Sequence, residues 1–322
     1  MVHLAFLDAV DPKIQAEIDR LLPPDWQLSC TRSNLPEDRE AAAVEADVAM
    51  IIGTGIDAAL LRTAPRLRFV QKLGAGVDNV DAAACRARKV GVARLEASNA
   101  AQVAEHTLML MLAALRQLPY FDARTRSGRW LRPEGRAKQR QLMGKTVGII
   151  GLGAIGREVA RRLAGFDVDI VYYDIRRPSA DLEASLSVRF CEFEDLLSCS
   201  DVVSLHVPLT ARTRGMLDAQ RIALMKPGAT VVNCARGGLI DEAALNHALD
   251  RNALLAAGLD TFDVEPLQAS PLFGRNDVVF TPHLAGATFE NFVTVFERGL
   301  RNIELYLAGQ QLPEGELVFS RD

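Results

Sequence analysis

The chain has 322 residues, long for one ordinary domain and suited to two, with 49% apolar and 24% charged residues, the balance of a globular protein that needs no staples. The net charge of -4 argues against a dedicated binder of nucleic acid or of an anionic membrane. Five scattered cysteines with no CxxC pair argue against a structural zinc, any other metal site and a disulfide framework, and they fit a reducing, cytoplasmic setting.

The opening Met1–Val10 has no basic stretch ahead of a long apolar run, so no signal peptide is expected. Val2–Leu7 reads as a buried strand, and Asp11-Pro12 starts a helix continued by Ile14, Ile18, Leu21 and Leu22. Asp47–Ile52, Leu67–Gln71 and Val90–Arg94 read as further strands, with a helix over Asp57–Ala64. Strands separated by helices imply a parallel sheet covered on both faces. Asn99–Leu118 reads as one long helix, capped by Asn99 with Gln102 completing a capping box and ended by Pro119. Beyond Thr107 it is apolar all round, which predicts burial on all sides. Its apolar run, Leu108–Leu115, is eight residues, against the roughly twenty needed to span a bilayer. Asp122–Gly144 carries seven basic and two acidic residues without periodicity and reads as a solvated or subunit-contacting arm.

Alternation resumes with six strand candidates: Thr146–Ile150, Val168–Tyr173, Val202–Val207, Thr230–Cys234, Leu254–Leu259 and Val278–Phe280. Six strands in this rhythm fit a doubly wound dinucleotide-binding fold. Ala287–Ala308 reads as an amphipathic helix stopped at Gly309.

Gly151-Leu-Gly-Ala-Ile-Gly156 follows a strand and opens a helix, the context in which GxGxxG carries weight. Gly151 permits the tight turn, Gly153 lets backbone amides reach a pyrophosphate, and Gly156 lets helix and strand pack. Asp174, at the end of the next strand, is placed to accept from ribose hydroxyls. A carboxylate there favours NAD over NADP, with Arg176 and Arg177 near enough to soften the preference.

Three polar signals then follow apolar strands: Arg236 in Asn233-Cys-Ala-Arg236-Gly-Gly, Glu265 before Pro266, and His283 after Thr281-Pro282. Carboxyl ends of parallel strands are where such sheets bind ligands. A guanidinium can grip a carboxylate and polarise the adjoining carbonyl, an imidazole can pass a proton near neutral pH, and a carboxylate partner stabilises an imidazolium. Together they suit hydride exchange with an oxo acid. Among the remaining candidates, His106 is expected to pack or hydrogen-bond within its helix, His206 to support the cofactor loop, and Lys72 either to attract an acid or to be solvated.

The chain resembles the D-isomer-specific 2-hydroxyacid dehydrogenases, which include phosphoglycerate, glyoxylate and hydroxypyruvate reductases. The matching motifs, in family order, are Leu73–Asp81, Val103–His106, Gly151–Gly156, His206–Thr210, Lys226–Gly228, Val232–Gly238, Gly258–Asp260, Glu265-Pro266 and Pro282-His283. The resemblance implies a flavodoxin-like substrate domain (1–98 plus 287–322) interrupted by a Rossmann NAD-binding domain (99–286), α/β throughout with two doubly wound parallel sheets. It implies Arg236, Glu265 and His283 as the catalytic set, with His283 the proton donor. Gly74, Ala75 and Gly76, with Arg236, would bind the substrate. Gly151, Gly153, Ala154, Ile155, Gly156, Asp174, Val207, Pro208, Cys234, Ala235, Asp260 and Gly286 would line the NAD site, Asp260 holding the nicotinamide carboxamide. The segment 99–144 would pack against a second subunit, giving a homodimer.

Departures from the family pattern narrow the substrate. Phosphoglycerate dehydrogenases of this family tend to carry an Arg-Ser pair before a threonine where this chain reads Ile51-Ile-Gly-Thr54, and a regulatory extension that this chain, ending at Asp322, is expected to lack. The expectation is a small unphosphorylated 2-oxo acid such as glyoxylate or hydroxypyruvate. Glu265 argues against formate oxidation. Two other readings use the same fold: an NAD(H)-sensing, corepressor-like binding protein, and an NAD-dependent enzyme acting on another small anion.

Overall fold

A computed structural model describes residues 1–320. The chain divides into two compact units, Asn99–Ala287 forming one and the segments on either side of it forming the other.

The first unit opens with β1 (Val2–Phe6), α1 (Pro12–Leu21), β2 (Trp26–Cys30), α2 (Pro36–Ala43), β3 (Val48–Ile51), α3 (Ala58–Thr63), β4 (Phe69–Lys72), α4 (Ala82–Ala87) and β5 (Gly91–Ala93). Local chemistry explains the helix starts. The Asp11 carboxylate accepts from Lys13 N at 2.9 Å with Pro12 at the first helical position, and Asp57 and Asp81 cap α3 and α4 in the same way.

The second unit holds α5 (Ala100–Leu115), α6 (Leu118–Arg126), α7 (Arg132–Lys138), β6 (Thr146–Ile150), α8 (Ala154–Leu163), β7 (Asp169–Tyr173), α9 (Ala180–Leu186), β8 (Val188–Phe190), α10 (Phe193–Cys199), β9 (Val202–Leu205), α11 (Ala219–Leu224), β10 (Ala229–Asn233), α12 (Glu242–Asp250), β11 (Leu254–Leu259) and β12 (Val278–Phe280). Its seven strands run parallel in the order β12-β11-β10-β9-β6-β7-β8, so the order reverses between β6 and β9. Both faces are apolar. Val147, Ile149 and Ile170 pack under α5 and α8, while Leu205, Val231 and Leu259 pack under the helices of the other face. Burial on both faces is why these strands read as continuous Val/Ile/Leu runs.

The expected single helix over Asn99–Leu118 is two. The chain leaves α5 at Arg116, Gln117 turns left-handed (φ 47°), and Pro119 lies in the first turn of α6, where its missing N–H costs nothing. Asn99 makes no capping hydrogen bond, so the expected capping box does not form. Burial of the apolar run holds except at Met109, which is 46% exposed, and Leu112, which is partly buried.

The chain then returns to the first unit with α13 (Phe289–Leu307), capped by Thr288, and β13 (Leu317–Phe319). That sheet is ordered β13-β5-β4-β3-β1-β2, with β13 alone antiparallel and the reversal at β1/β3. Phe6, Phe292 and Phe296 cluster where α13 covers it. Strands β2, β8 and β13 lie outside the sequence expectation; each is at a sheet edge, and of their residues only Val188 in β8 is buried.

Candidate active site

The glycine turn sits at the reversal point of the second unit's sheet. Gly151 has φ 96°, and a Cβ there would come within 2.7 Å of the His206 carbonyl oxygen and 2.8 Å of Val207 Cγ1. At Gly156 a Cβ would meet Gly151 O at 2.1 Å, whereas at Gly153 it would meet nothing within 4 Å. The first and last glycines thus close the turn onto its neighbours, and the middle one leaves open space before Ala154 and Ile155 in the first turn of α8. No side chain caps that helix. Its leading N–H groups and partial positive charge are left without a side-chain partner, an arrangement suited to a phosphate group.

Asp174 follows β7, its Oδ2 accepting from Leu152 N at 2.7 Å and its Oδ1 from Arg176 N at 3.0 Å. It therefore fixes the glycine turn as well as ending the strand. Arg177 is drawn away: its Nε and Nη2 bind the two Glu183 oxygens at 2.7 and 3.0 Å. With the Tyr172 hydroxyl, it holds the Glu183 carboxyl down at about 2.

Arg236 and Glu265 come from the next two loops. After β10 the buried Asn233 bends the chain: its Oδ1 accepts from Ala235 N at 3.0 Å and its Nδ2 donates to Arg236 O at 2.8 Å. Gly237 then presses on the β11 loop so closely that a Cβ would lie 1.8 Å from the carbonyl carbon of Phe262. That contact sets the loop carrying Arg236 against the loop carrying Glu265. Glu265 Oε1 accepts from Phe262 N at 2.9 Å, and Oε2 lies 2.7 Å from His283 Nδ1. Burial pushes the Glu265 carboxyl up, but the hydrogen bonds from His283 and Phe262 and the nearby charges leave it below the ordinary range. Ionised Glu265 accepts from Nδ1–H, which leaves His283 Nε2 as the outer nitrogen on a half-exposed ring.

His283 stands on strained backbone, with φ 55°, a conformation costing a non-glycine residue on the order of 1–2 kcal/mol. The restraint comes from Asp260, fully buried at the end of β11. The Asp260 carbonyl accepts from His283 N at 2.8 Å. Its carboxylate accepts from the Thr281 hydroxyl (2.6 Å), Leu284 N (2.8 Å) and Ala285 N (2.9 Å). Burial opposes ionisation of Asp260, yet these donors and His106 hold its carboxyl below the usual value. The sequence points to Asp260 only as a cofactor contact. Its role in tying the 281–285 loop is not visible there, because the donors are mostly backbone amides.

Of the other residues expected at the cofactor site, Val207 and Pro208 follow β9 beside the glycine turn. Cys234 and Ala235 follow β10, but the Cys234 side chain is 6% exposed and packs in the core with Val103 and Leu108. Burial pushes its thiol up to about 12, so it stays protonated. Gly286 gives room to Asn99, whose Nδ2 would lie 2.6 Å from a Cβ there.

In the first unit, Gly74–Gly76 follow β4 beside the loop after β3. The Asp8 carboxylate, 7% exposed, accepts from Ile52 N (2.6 Å), Gly53 N (2.7 Å), Thr54 N (2.8 Å) and the Thr54 hydroxyl (3.0 Å). Asn79 Nδ2 donates to Gly53 O and Thr54 O, and Lys72 Nζ donates to Ile52 O. Lys72 is 7% exposed, which corrects the solvated alternative: it is a staple between the two loops. Along 99–144, Leu118, Trp130 and Met143 expose their side chains. Among the described residues there is no cluster suited to a metal, and no helix is long and apolar enough to cross a membrane.

Residues 108–285 match the family described as D-isomer specific 2-hydroxyacid dehydrogenase, NAD binding domain. A D-3-phosphoglycerate dehydrogenase of Mycobacterium tuberculosis (strain ATCC 25618 / H37Rv) is 42% identical over 275 residues, which are 85% of this chain and 52% of that protein. The chain thus spans about half the length of this relative. A hydroxypyruvate reductase of Thermotoga maritima is 35% identical over 287 residues, covering 87% of this chain and 92% of that one. The solved TT0316 protein from Thermus thermophilus superposes with a TM-score of 0.86 at 32% identity, covering 99% of this chain and 100% of that one. The chain belongs to the D-isomer-specific 2-hydroxyacid dehydrogenase family.

Proposed function

We propose that the protein is an NAD-dependent D-2-hydroxyacid dehydrogenase that reduces a small 2-oxo acid. The observation that carries the reading is the His283–Glu265 pair, 2.7 Å apart, beside Arg236 at strand tips of the sheet that also carries the glycine turn. NAD, when bound, supplies the hydride carrier. Gly151, Gly153, Ala154, Ile155 and Gly156 would hold its pyrophosphate and Asp174 its ribose. Val207, Pro208, Ala235 and Gly286 would line the remainder, with the buried Cys234 and the fully buried Asp260 behind them. Arg236 grips the substrate carboxylate and polarises the adjoining carbonyl. His283 delivers a proton from Nε2 to the carbonyl oxygen, and Glu265 steadies the charge on the ring. Gly74, Ala75 and Gly76 would bind the substrate by the family resemblance.

NAD is favoured over NADP because Asp174 stands where a 2′-phosphate would be repelled and Arg177 is committed to Glu183. An unphosphorylated substrate such as glyoxylate or hydroxypyruvate is favoured over 3-phosphoglycerate because the Ile51–Thr54 stretch has no cation and its amides are already bound by Asp8. The exposed apolar side chains of the 99–144 arm support a homodimer, and the cysteine usage supports a cytoplasmic protein.

The test is NADH consumption with glyoxylate, hydroxypyruvate, pyruvate and the phosphorylated analogue, each repeated with NADPH. His283→Ala should abolish turnover of all of them while NADH still binds. An active His283→Ala enzyme, or tight NADH binding with no turnover of any oxo acid by the wild type, overturns the proposal.

A further inference from the structure

We infer that His106, on α5, is a positioning residue for His283: its Nε2–H, passed through the Thr281 hydroxyl to the Asp260 carboxylate, locks the left-handed loop on which His283 stands. The inference rests on the proposed role of His283 in proton transfer.

The chain of contacts has a fixed direction. The Thr281 hydroxyl donates its one proton to Asp260 Oδ1 at 2.6 Å. His106 Nε2 lies 2.9 Å from the same hydroxyl oxygen, which can then only accept. His106 Nε2 must therefore carry a hydrogen. Its second neighbour, Asp260 Oδ1 at 3.4 Å, is also an acceptor and agrees with that assignment. Removing the imidazole donor leaves the Thr281 hydroxyl oxygen held by its bond to Asp260 alone and takes one partner from a fully buried carboxylate.

That carboxylate holds the residues on both sides of His283. Thr281 precedes it, Leu284 and Ala285 follow it, and the His283 amide is bound by the Asp260 carbonyl. The loop has to keep a φ of 55° at His283 for Nδ1 to stay 2.7 Å from Glu265. Strained backbone of this kind persists only where its surroundings over-determine it. His106 reaches that set from outside the loop, with a side chain 14% exposed on a helix that packs against the sheet. Both of its polar neighbours serve the His283 loop: Thr281 lies within it, and Asp260 ties it down.

Two variants separate positioning from packing. His106→Phe keeps a ring and removes the donor; His106→Gln places an amide N–H near the position of Nε2. His106→Phe should lower kcat for 2-oxo acid reduction about 10-fold to 100-fold with little change in NADH affinity, since small misplacements of a reacting group cost this much. His106→Gln should recover most of the loss. Equal activity of His106→Phe and wild type overturns the inference, as does equal impairment of both variants. A readout independent of turnover is the low-field Nδ1 proton of the His283–Glu265 hydrogen bond in the NMR spectrum, assigned by its absence in His283→Gln. It should be sharp in the wild type and in His106→Gln and lost in His106→Phe. If the wild type shows this signal and its loss in His106→Phe but turns over no oxo acid, the enzymatic proposal fails and the positioning stands. An unchanged signal in His106→Phe sinks the positioning, whatever the activity.

Discussion

Glu265 and His283 are joined by one short hydrogen bond, Oε2 to Nδ1 at 2.7 Å, and the other Glu265 oxygen is anchored to the Phe262 amide at 2.9 Å. The carboxylate is thus held at both ends, one by backbone and one by the ring. This fixes which imidazole nitrogen carries the hydrogen and which is presented outward.

Glu265→Gln keeps the shape and removes the charge. On the proposed mechanism, kcat/KM for the best 2-oxo acid should fall about 100-fold, within the range set by general acid–base catalysis, while NADH affinity changes little. Steady-state kinetics and NADH fluorescence titration check the two halves separately. A variant as fast as wild type would remove Glu265 from the mechanism.

Asp174 ties the glycine turn to the end of β7 and would face the ribose hydroxyls. Asp174→Ala should weaken NADH binding and raise the ratio of kcat/KM for NADPH over NADH by at least about 10-fold, the scale of about 1.4 kcal/mol of lost repulsion. Arg177, held by Glu183, should contribute little to this shift unless Glu183 is also replaced. An unchanged ratio in Asp174→Ala would show that cofactor choice is made elsewhere.

Gly237 is where two loops meet backbone to backbone. A Cβ there would overlap Phe262 at 1.8 Å, and no side-chain rotation relieves a clash with main chain. Gly237→Ala should cost about 1–3 kcal/mol or more, as overpacking does, and should lower activity further by moving Arg236 away from Glu265. Thermal unfolding and kinetics measure both. A fully stable, fully active variant would mean that the contact is looser than the structure has it.

How much of this can be read from residues alone follows from the kind of constraint each residue obeys. The Gly151–Gly156 turn is legible because only glycine meets the demands at Gly151 and Gly156. Arg236, Glu265 and His283 are legible as polar residues just beyond apolar strands, and the structure joins Glu265 and His283 by a hydrogen bond. The break between α5 and α6 is not, because Gln117 carries no signal for a left-handed turn and Pro119 mimics a helix end while sitting in a first turn. The Asp8 and Asp260 clamps are invisible for a common reason: their partners are chiefly backbone amides 20 or more residues away, and an amide has no letter in the sequence. Lys72 reads equally as a lysine that attracts an acid or as a solvated one; its burial is fixed by the Ile52 carbonyl, again a main-chain group.

His206 supplies the pH dependence. Burial pushes its imidazole down to about 3, its Nδ1 is buried without a partner among the described residues, and Nε2 lies 2.8 Å from the Ser204 hydroxyl. In the unfolded chain a histidine titrates near about 6.5. Between these values the unfolded state takes up a proton that the folded state refuses, so the stability is present above about pH 6.5 and lost as pH falls. The loss is about 1.4 kcal/mol for each pH unit below that point, or about 2 kcal/mol at pH 5. His206→Gln has no proton to gain. Urea unfolding of both proteins at about pH 7, 6 and 5 should therefore show the stability of the wild type falling relative to the variant at that rate. Parallel pH dependences would mean that the folded protein protonates His206 as readily as the unfolded chain does, and that the ring is solvated in solution.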